Sequence, residues 1–403
     1  MRSIKPELCA LLLLLCMSVL SGCSAILRNP VPDRDHLDTS ILGREDFRSW
    51  GDSPQMQQHP SIQQADAAAL EHDYGGIMHT EHNYLVISGG GADGAYGAGV
   101  LVGWTRQGTR PEFTLVTGVS TGALTAPFAF LGPDYDDKLK LLYTTLDSSS
   151  IFFRRSIFSI IRGDSVADNT PLLQMLKKYI DDKMIADIAR EYRKGRGLYI
   201  GTTNLDASRP VVWNIGRIAD SGHPRAGDLI RQVLLASASI PGVFPPAYIQ
   251  VQTAGGRTYD EMHVDGGTSA QMFLYHSSID FEKLTAMLDI RGTPTAYVIR
   301  NSRIKTVYDP VRARLPDIAA RSVSSLIRTQ GIGDAYRIAA TTQRDGVALE
   351  LTWIPMDAPP DPGDELFDPK YMSVLFDYGY QRALDGMVWS KVDLRDIQPA
   401  KIN

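Results

Sequence analysis

Three short motifs of this chain contain residues that could do chemistry together. They are the glycine run GGGADG, the serine motif GVSTG and the aspartate motif DGG, at residues 89–94, 118–122 and 265–267. A serine hydroxyl is a weak nucleophile unless a base removes its proton, and a buried aspartate can be such a base. Backbone N–H groups of a glycine run can stabilise the oxyanion that forms when a serine attacks a carbonyl. These residue types point to acyl transfer.

The serine motif lies between a predicted strand and a predicted helix. Residues 113–119, FTLVTGV, form an apolar run typical of a buried strand, and an apolar helical segment follows Ser120. Gly118 and Gly122 permit a sharp turn of the nucleophile-elbow type, which a β-carbon would block. The N-terminus of the helix adds positive potential beside an oxyanion. The motif favours Ser120 as a nucleophile, and a structural turn serine is the alternative.

A histidine base for Ser120 has little support in the sequence. An α/β-hydrolase places its histidine late in the chain, whereas the last histidine here is His276. Asp265 instead follows a short apolar alternation and precedes Gly266 and Gly267, which permit a tight loop at a strand end. A carboxylate within hydrogen-bond reach can take the serine proton directly. Taken alone, the motif also fits an ordinary Asp-Gly turn.

The glycine run fits two kinds of site. Its spacing, G-x-G-x-x-G after the predicted strand YLVIS, is also that of a dinucleotide site. Such a site needs an acidic residue about 20 positions later, at the end of the next strand. Glu112 precedes that strand, and the serine motif occupies its end. The run is therefore interpreted as an oxyanion hole. The glycines assigned to it are Gly89, Gly90, Gly91 and Gly94.

The elements that must position these motifs alternate between strands and helices. Strands are predicted at residues 84–88, 113–119, 197–205 and 295–301, and helices at 170–180 and 183–195. Such alternation predicts a mostly parallel sheet covered by helices on both faces.

In this order the motifs resemble those of the patatin-like phospholipase family, whose pattern is a glycine-rich oxyanion loop, G-x-S-x-G, and D-G-G or D-G-A. ASASIPGVFPP, residues 236–246, is similar to the family block just before the catalytic aspartate. The resemblance implies an α/β fold, the three-layer α/β/α patatin-like fold with a mostly parallel central sheet. It also implies a serine acyl hydrolase that cleaves carboxylic esters of lipids through a Ser120–Asp265 dyad, with no histidine, metal or cofactor.

One residue of the glycine run departs from the family pattern. Many members carry Lys or Arg in this loop, where this chain has Asp93. A carboxylate that pointed inward would oppose a developing oxyanion, so we expect Asp93 to face solvent. Asp93 is also the one hint of an alternative function, an envelope lipoprotein that keeps the fold for lipid binding or a structural role with little turnover.

The N-terminus predicts export and a lipid anchor. Arg2 and Lys5 precede an apolar run that is too short and too N-terminal for an ordinary membrane-spanning helix. The run ends in LSGC, residues 20–23, which resembles the lipobox of bacterial lipoproteins, in which Cys23 is lipidated after cleavage. An ordinary signal peptide is the alternative. An aspartate directly after the cysteine would resemble an inner-membrane retention signal. Ser24 stands there instead, which favours the outer membrane, facing the periplasm.

The predicted organisation has three parts. Residues 1–22 are a lipoprotein signal peptide, 23–82 a lipidated N-terminal tether, and 83–403 a patatin-like hydrolase domain. The domain has a motif core at about 84–275 and a helical C-terminal extension. All three cysteines lie at or before the predicted cleavage site, so the mature chain has no disulfide.

The partners expected are a membrane lipid or lipid-ester substrate, and the membrane itself through the anchor. A net charge of −5 and the lack of a Lys/Arg-rich block argue against nucleic acid. The histidines before residue 83 are irregularly spaced, which argues against a metal site. The apolar segment 148–165 contains Arg154 and Arg155 and fits two roles. It could form a lid or a wall for the acyl chain, with its arginines near lipid phosphate, or it could be a helix that covers the core.

Overall fold

The structure is a computed structural model that describes residues 28–53, 67–145, 153–154, 167–304, 308, 310–363 and 365–391. The signal peptide, Cys23 and nearly all of segment 148–165 lie outside these residues, so what the sequence says of them stays a prediction. Among the described residues, no helix has both the length and the apolar character that crossing a membrane requires.

The strands are short, and most belong to one sheet. They are β1 (Thr39–Ser40), β2 (Arg48–Trp50), β3 (Glu81–Ile87), β4 (Leu115–Val119), β5 (Phe153–Arg154), β6 (Ala167–Asp168), β7 (Gly197–Asn204), β8 (Arg209–Asn214), β9 (Ala247–Thr253), β10 (Thr258–Asp265), β11 (Arg291–Arg300), β12 (Ala348–Trp353) and β13 (Ser390–Lys391). Only β5 and β6 pair apart from it, with each other.

The helices are distributed along the whole described chain. They are α1 (Ala67–Tyr74), α2 (Gly94–Gln107), α3 (Thr121–Leu131), α4 (Asp136–Thr145), α5 (Thr170–Tyr179), α6 (Asp182–Tyr192), α7 (Ile215–Asp220), α8 (Ala226–Ser237), α9 (Phe281–Leu288), α10 (Leu315–Arg344) and α11 (Pro369–Leu384). Short 3₁₀ turns occur at Gly91–Asp93 and Gly266–Thr268, within two of the three motifs.

The centre of the sheet is parallel. Strands β7, β4, β3, β11 and β12 lie side by side in that order and run in one direction. Antiparallel strands extend the sheet on both sides, with β10, β9 and β1 beyond β7 and β13 beyond β12. Strand β8 also pairs with β7, and β2 pairs with β8.

Strand β3 shows that helices cover both faces of this sheet. Neighbouring residues of a strand point to opposite faces, yet Leu85, Val86 and Ile87 are all fully buried. Leu85 and Ile87 pack in a core that includes residues of α2, α3, α8 and α11. Val86 packs in a second core that includes Phe281 of α9 and Ile338 of α10. The three-layer α/β fold with a mostly parallel central sheet is thereby confirmed.

Residues 28–53, whose composition suggests a tether, pack on the sheet instead. Strand β1 pairs with β9 and β2 with β8, and Ile41 and Phe47 are buried. Arg48 donates to the buried Glu261 carboxylate of β10 at 2.7 Å. A sheet edge offers unpaired N–H and C=O groups, so a segment can join it with few apolar residues. This part of the predicted tether belongs to the folded unit.

The part of the chain after residue 275 is not only helical. Strand β11, which the sequence predicts, lies between β3 and β12 in the central sheet. Strand β12 was not predicted, because its six residues, ALELTW, are too few to show a clear period. Helix α11 packs along α2, the helix that follows the glycine run.

Candidate active site

The register of three strands brings Ser120 and Asp265 to the same level of the sheet. Val119, the last residue of β4, pairs with Gly201 of β7. The next residue of β7, Thr202, pairs with Asp265 at the end of β10. Ser120 and Asp265 therefore lie on either side of β7.

Ser120 forms a sharp turn between β4 and α3. Its φ of 56° and ψ of −126° are rare for a residue with a side chain and indicate local strain. The Ser120 N–H donates to Ser237 Oγ at 3.0 Å, and the Ser237 hydroxyl donates to the Gly201 carbonyl at 2.6 Å. A β-carbon on Gly118 or Gly122 would overlap neighbouring backbone. The crowded turn therefore requires both glycines.

Asp265 is buried, with 5% of its surface exposed. Its Oδ1 accepts a hydrogen bond from the Gly267 N–H at 2.7 Å. Its Oδ2 is buried and forms no hydrogen bond with a described residue, although the Ser120 hydroxyl is near enough to lower the pKa of the carboxyl. Burial outweighs both neighbours and raises the pKa of Asp265 to about 7. A free oxygen and a neutral pKa suit a proton acceptor. A β-carbon on Gly266 would overlap the Gly201 carbonyl, so this loop also needs a glycine.

The glycine run lies directly across from Ser120. A β-carbon placed on Gly89 would be 3.0 Å from Ser120 Cβ and 3.7 Å from Ser120 Oγ. Gly91 has a φ of 58° and open space where its β-carbon would be. The glycines lie at the carboxyl end of β3, beside the end of β4, where open α/β sheets place their sites.

The four glycines assigned to the oxyanion hole differ in what their N–H groups contact. The N–H of Gly89 donates to the Gln271 carbonyl at 3.2 Å. The N–H of Gly94 donates within the turn, to the carbonyls of residues 91 and 92. Within the described chain, no acceptor binds the N–H groups of Gly90 and Gly91. These two are therefore the available donors, a distinction that sequence reasoning could not make.

Ser88 and Asn301 hold the backbone of the run in place. The Asn301 N–H donates to Ser88 Oγ at 2.9 Å, and Asn301 Nδ2 donates to the Ser88 carbonyl at 3.0 Å. The Ser88 hydroxyl donates to the Gly89 carbonyl at 2.7 Å, and the Gly97 N–H donates to Asn301 Oδ1 at 3.1 Å. We call these contacts the Asn301 clamp. Sequence reasoning missed it, although polar residues directly after the apolar strand β11 were a signal.

Asp93 does not project freely into solvent, contrary to expectation, but is half-buried. Its Oδ1 accepts a hydrogen bond from the Tyr371 hydroxyl of α11 at 2.6 Å. Burial raises the pKa of Asp93 to about 6, while Tyr371 and the charge of Arg303 lower it. The expectation was wrong because the helix that covers Asp93 comes 278 residues later in the chain.

His263, the histidine nearest to Asp265 in sequence, is not available as a base. It is fully buried, and both ring nitrogens have partners. Nε2 lies 3.1 Å from Glu261 Oε2, and Nδ1 lies 3.0 Å from Thr202 Oγ1. Burial lowers the pKa of His263. In the ranges that the structure describes, no group of three His, Cys, Asp or Glu side chains could hold a metal ion.

Two cavities meet at Ser120. The first is apolar, with a volume of about 60 Å³, and its walls include Leu124, Leu172, Met175 and Phe244. We call it the acyl cavity. The second, of about 390 Å³, has polar side chains in its walls, which include Asp265, Gln271, Arg300 and Arg328. We call it the polar cavity. An ester with its apolar part in the first and its polar part in the second would present its carbonyl to Ser120.

Comparison with known proteins agrees with this geometry. Residues 85–275 match the family model described as Patatin-like phospholipase, and this range contains Ser120 and Asp265. No curated protein sequence matches the chain.

Two solved structures are similar at low levels. VipD from Legionella pneumophila has a TM-score of 0.35 and 15% identity, over 78% of this chain and 68% of VipD. The type III effector protein ExoU has a TM-score of 0.33 and 13% identity, over 76% of this chain and 53% of ExoU.

From the family match, this chain carries a patatin-like phospholipase domain.

Proposed function

We propose that this protein is a lipid acyl hydrolase of the phospholipase A, lysophospholipase or carboxylesterase type. The observation that carries the proposal is the position of Ser120. It lies on a strained turn, beside a buried carboxylate with a free oxygen, where an apolar and a polar cavity meet. The apolar walls of the acyl cavity suit the hydrocarbon of an acyl chain.

In the first step, Ser120 Oγ attacks the carbonyl carbon of the ester while the Asp265 carboxylate accepts the hydroxyl proton. The negative charge that develops on the carbonyl oxygen is stabilised by the free N–H groups of Gly90 and Gly91. When the tetrahedral intermediate collapses, the ester C–O bond breaks and the alcohol leaves with the proton from Asp265. The acyl group stays on Ser120.

In the second step, Asp265 takes a proton from a water molecule, and the resulting hydroxide attacks the acyl-enzyme carbonyl. The bond to Ser120 Oγ breaks, the serine takes the proton from Asp265, and the fatty acid leaves. One carboxylate thus accepts and returns a proton twice, which a pKa near neutral favours. Gly89 and Gly94 allow the loop to approach Ser120 and α3 closely, rather than donate to the oxyanion.

We also propose that lipidated Cys23 anchors the domain in the outer membrane, facing the periplasm. Arg28 is already tied to the domain, since it pairs with Asp206 at 2.7 Å and with Asp260 at 3.0 Å. Arg28 lies five positions after Cys23, which allows a reach of at most about 18 Å. The folded unit would lie close to the membrane surface that holds its substrates.

The test is covalent labelling by a fluorescent phosphonate that reacts with active serines, together with assays on a panel of lipid esters. We expect the wild type to be labelled and to release fatty acid, and Ser120→Ala to do neither. A folded wild type that is not labelled and hydrolyses no ester would favour the alternative, lipid binding or a structural role. The sequence feature that suggested this alternative was Asp93, whose carboxylate accepts a hydrogen bond from the Tyr371 hydroxyl.

A further inference from the structure

The polar cavity beside Ser120 contains a buried arginine that lacks a full set of partners. Arg300, the last residue of β11, is 2% exposed and lines this cavity. Its Nε donates to Ser302 Oγ at 2.9 Å. Its Nη1 is buried and has no hydrogen-bond partner among the described residues. A charged donor that is buried without an acceptor is costly, so such a group points to an absent acceptor.

A second arginine lines the same cavity. Arg328 lies on α10 and is half-buried. In the described chain, no side chain forms a hydrogen bond or an ion pair with it. Burial and the charge of Arg328 together lower the pKa of Arg300 to about 10. Two neighbouring positive charges in a partly desolvated cavity favour the binding of an anion.

The carboxylates of the chain do not supply that anion. Asp93 and Asp265 line the cavity, and the charge of Asp334 acts on Arg300. Each has another donor: Tyr371 for Asp93, the Gly267 N–H for Asp265, and the Gln271 N–H with Arg337 for Asp334. No carboxylate of the described residues bonds to Arg300 or Arg328, so both guanidinium groups can bind an acceptor that a ligand brings.

We propose that Arg300 and Arg328 form a subsite for a phosphate group, and that this phosphate belongs to the head group of the lipid whose ester carbonyl lies at Ser120. The inference rests on the proposed hydrolase function. A guanidinium group donates two parallel N–H bonds to phosphate oxygens, which suits Arg better than Lys for such a site. One phospholipid would reach both cavities, with its acyl chain entering at the acyl cavity and its glycerophosphate in the polar cavity.

The experiment compares two lipids that differ only in the phosphate, a 1-acylglycerol 3-phosphate and the 1-monoacylglycerol with the same acyl chain. The quantity measured is the ratio of kcat/KM for the phosphorylated lipid to that for the neutral lipid. In Arg300→Gln and in Arg328→Gln we expect this ratio to fall about ten- to hundredfold, the effect of losing a charge-assisted hydrogen bond. Arg321→Gln is the matched control, because Arg321 lies on the same helix outside the cavity lining. It should keep the wild-type ratio.

Three outcomes would overturn the proposal. A ratio that neither variant changes would remove the subsite and leave the hydrolase intact. A wild type without preference for the phosphorylated lipid, but inhibited by inorganic phosphate when it hydrolyses the neutral lipid, would make the site one for free phosphate.

If neither lipid is hydrolysed, the proposed function fails, and calorimetry with glycerol 3-phosphate tests the subsite alone. Equal binding by wild type and Arg328→Gln would then refute it. Arg328 is half-buried, so its variant carries the test if Arg300→Gln does not fold.

Discussion

Replacing Asp265 with asparagine tests the proposed base through both activity and stability. Asparagine has nearly the same shape and can still accept a hydrogen bond from the Gly267 N–H, but it carries no charge and cannot take the Ser120 proton. Burial raises the pKa of this carboxyl from 3.8 to about 7. The charged form that catalysis needs is therefore the form that destabilises the folded chain.

The stability of the folded chain depends on pH because the pKa of Asp265 differs between the folded and the unfolded chain. Because the folded-state pKa lies above the unfolded value, the folded chain holds an extra proton between those two pH values. The stability that this group contributes is full below the unfolded pKa and is lost as pH rises through about 7. Since each tenfold change in proton affinity is worth about 1.4 kcal/mol, raising the pKa from 3.8 to about 7 corresponds to at most about 4 kcal/mol of unfolding free energy. Relative to wild type, Asp265→Asn should gain up to that amount between pH 4 and pH 8.

The assay is denaturant unfolding of both proteins across this pH range, with the difference in unfolding free energy as the result. The same samples are assayed for ester hydrolysis. Wild-type kcat/KM should rise with pH around a midpoint near 7, and the variant should lose most activity. Asp134→Asn, at an exposed position, is the control and should show a difference that does not depend on pH. A pH-independent difference for Asp265→Asn would refute the raised pKa, and full hydrolysis by it would refute the base.

Three further predictions concern the serine, the oxyanion donors and the anchor. Ser120→Ala and Asp265→Asn should each abolish most hydrolysis, and the double variant should be barely worse, because residues that act as a unit are strongly non-additive; losses in kcat that multiply would contradict the dyad. Gly90→Ala would put a β-carbon where the Asn301 carbonyl lies, so we expect kcat to fall on the order of 10²-fold while lipid binding persists; an unchanged kcat would exclude this N–H from the mechanism. Cys23→Ser should leave the protein unprocessed or release it from the envelope fraction, and unaltered membrane fractionation would count against the lipobox.

The relative position of Ser120 and the glycine run could be predicted from the sequence. Both follow short apolar runs, and in a parallel sheet such strands end at one edge. The structure confirms that β3 and β4 are parallel neighbours. Local pattern was sufficient here because each motif is attached directly to the strand that positions it.

The position of Asp265 could not be derived in the same way. Strand β10 is antiparallel to β7, and the level of Asp265 depends on a register between segments about 60 residues apart in sequence. Only the family resemblance linked it to Ser120. Arg300 and Tyr371 lie outside every motif, so their approach to the site depends on the packing of β11 and α11.

The Asn301 clamp limits how this active site can be moved into other proteins. A fragment that ends at residue 275 would retain every motif residue of the matched range, yet it would lack the clamp that fixes the backbone at Ser88. Strand β3 would also lose its neighbour β11 and become an open edge, a common start of aggregation. Grafting, domain shuffling or a minimal expression fragment should therefore include β11 as part of the catalytic unit. Motif boundaries are the wrong places to cut this chain.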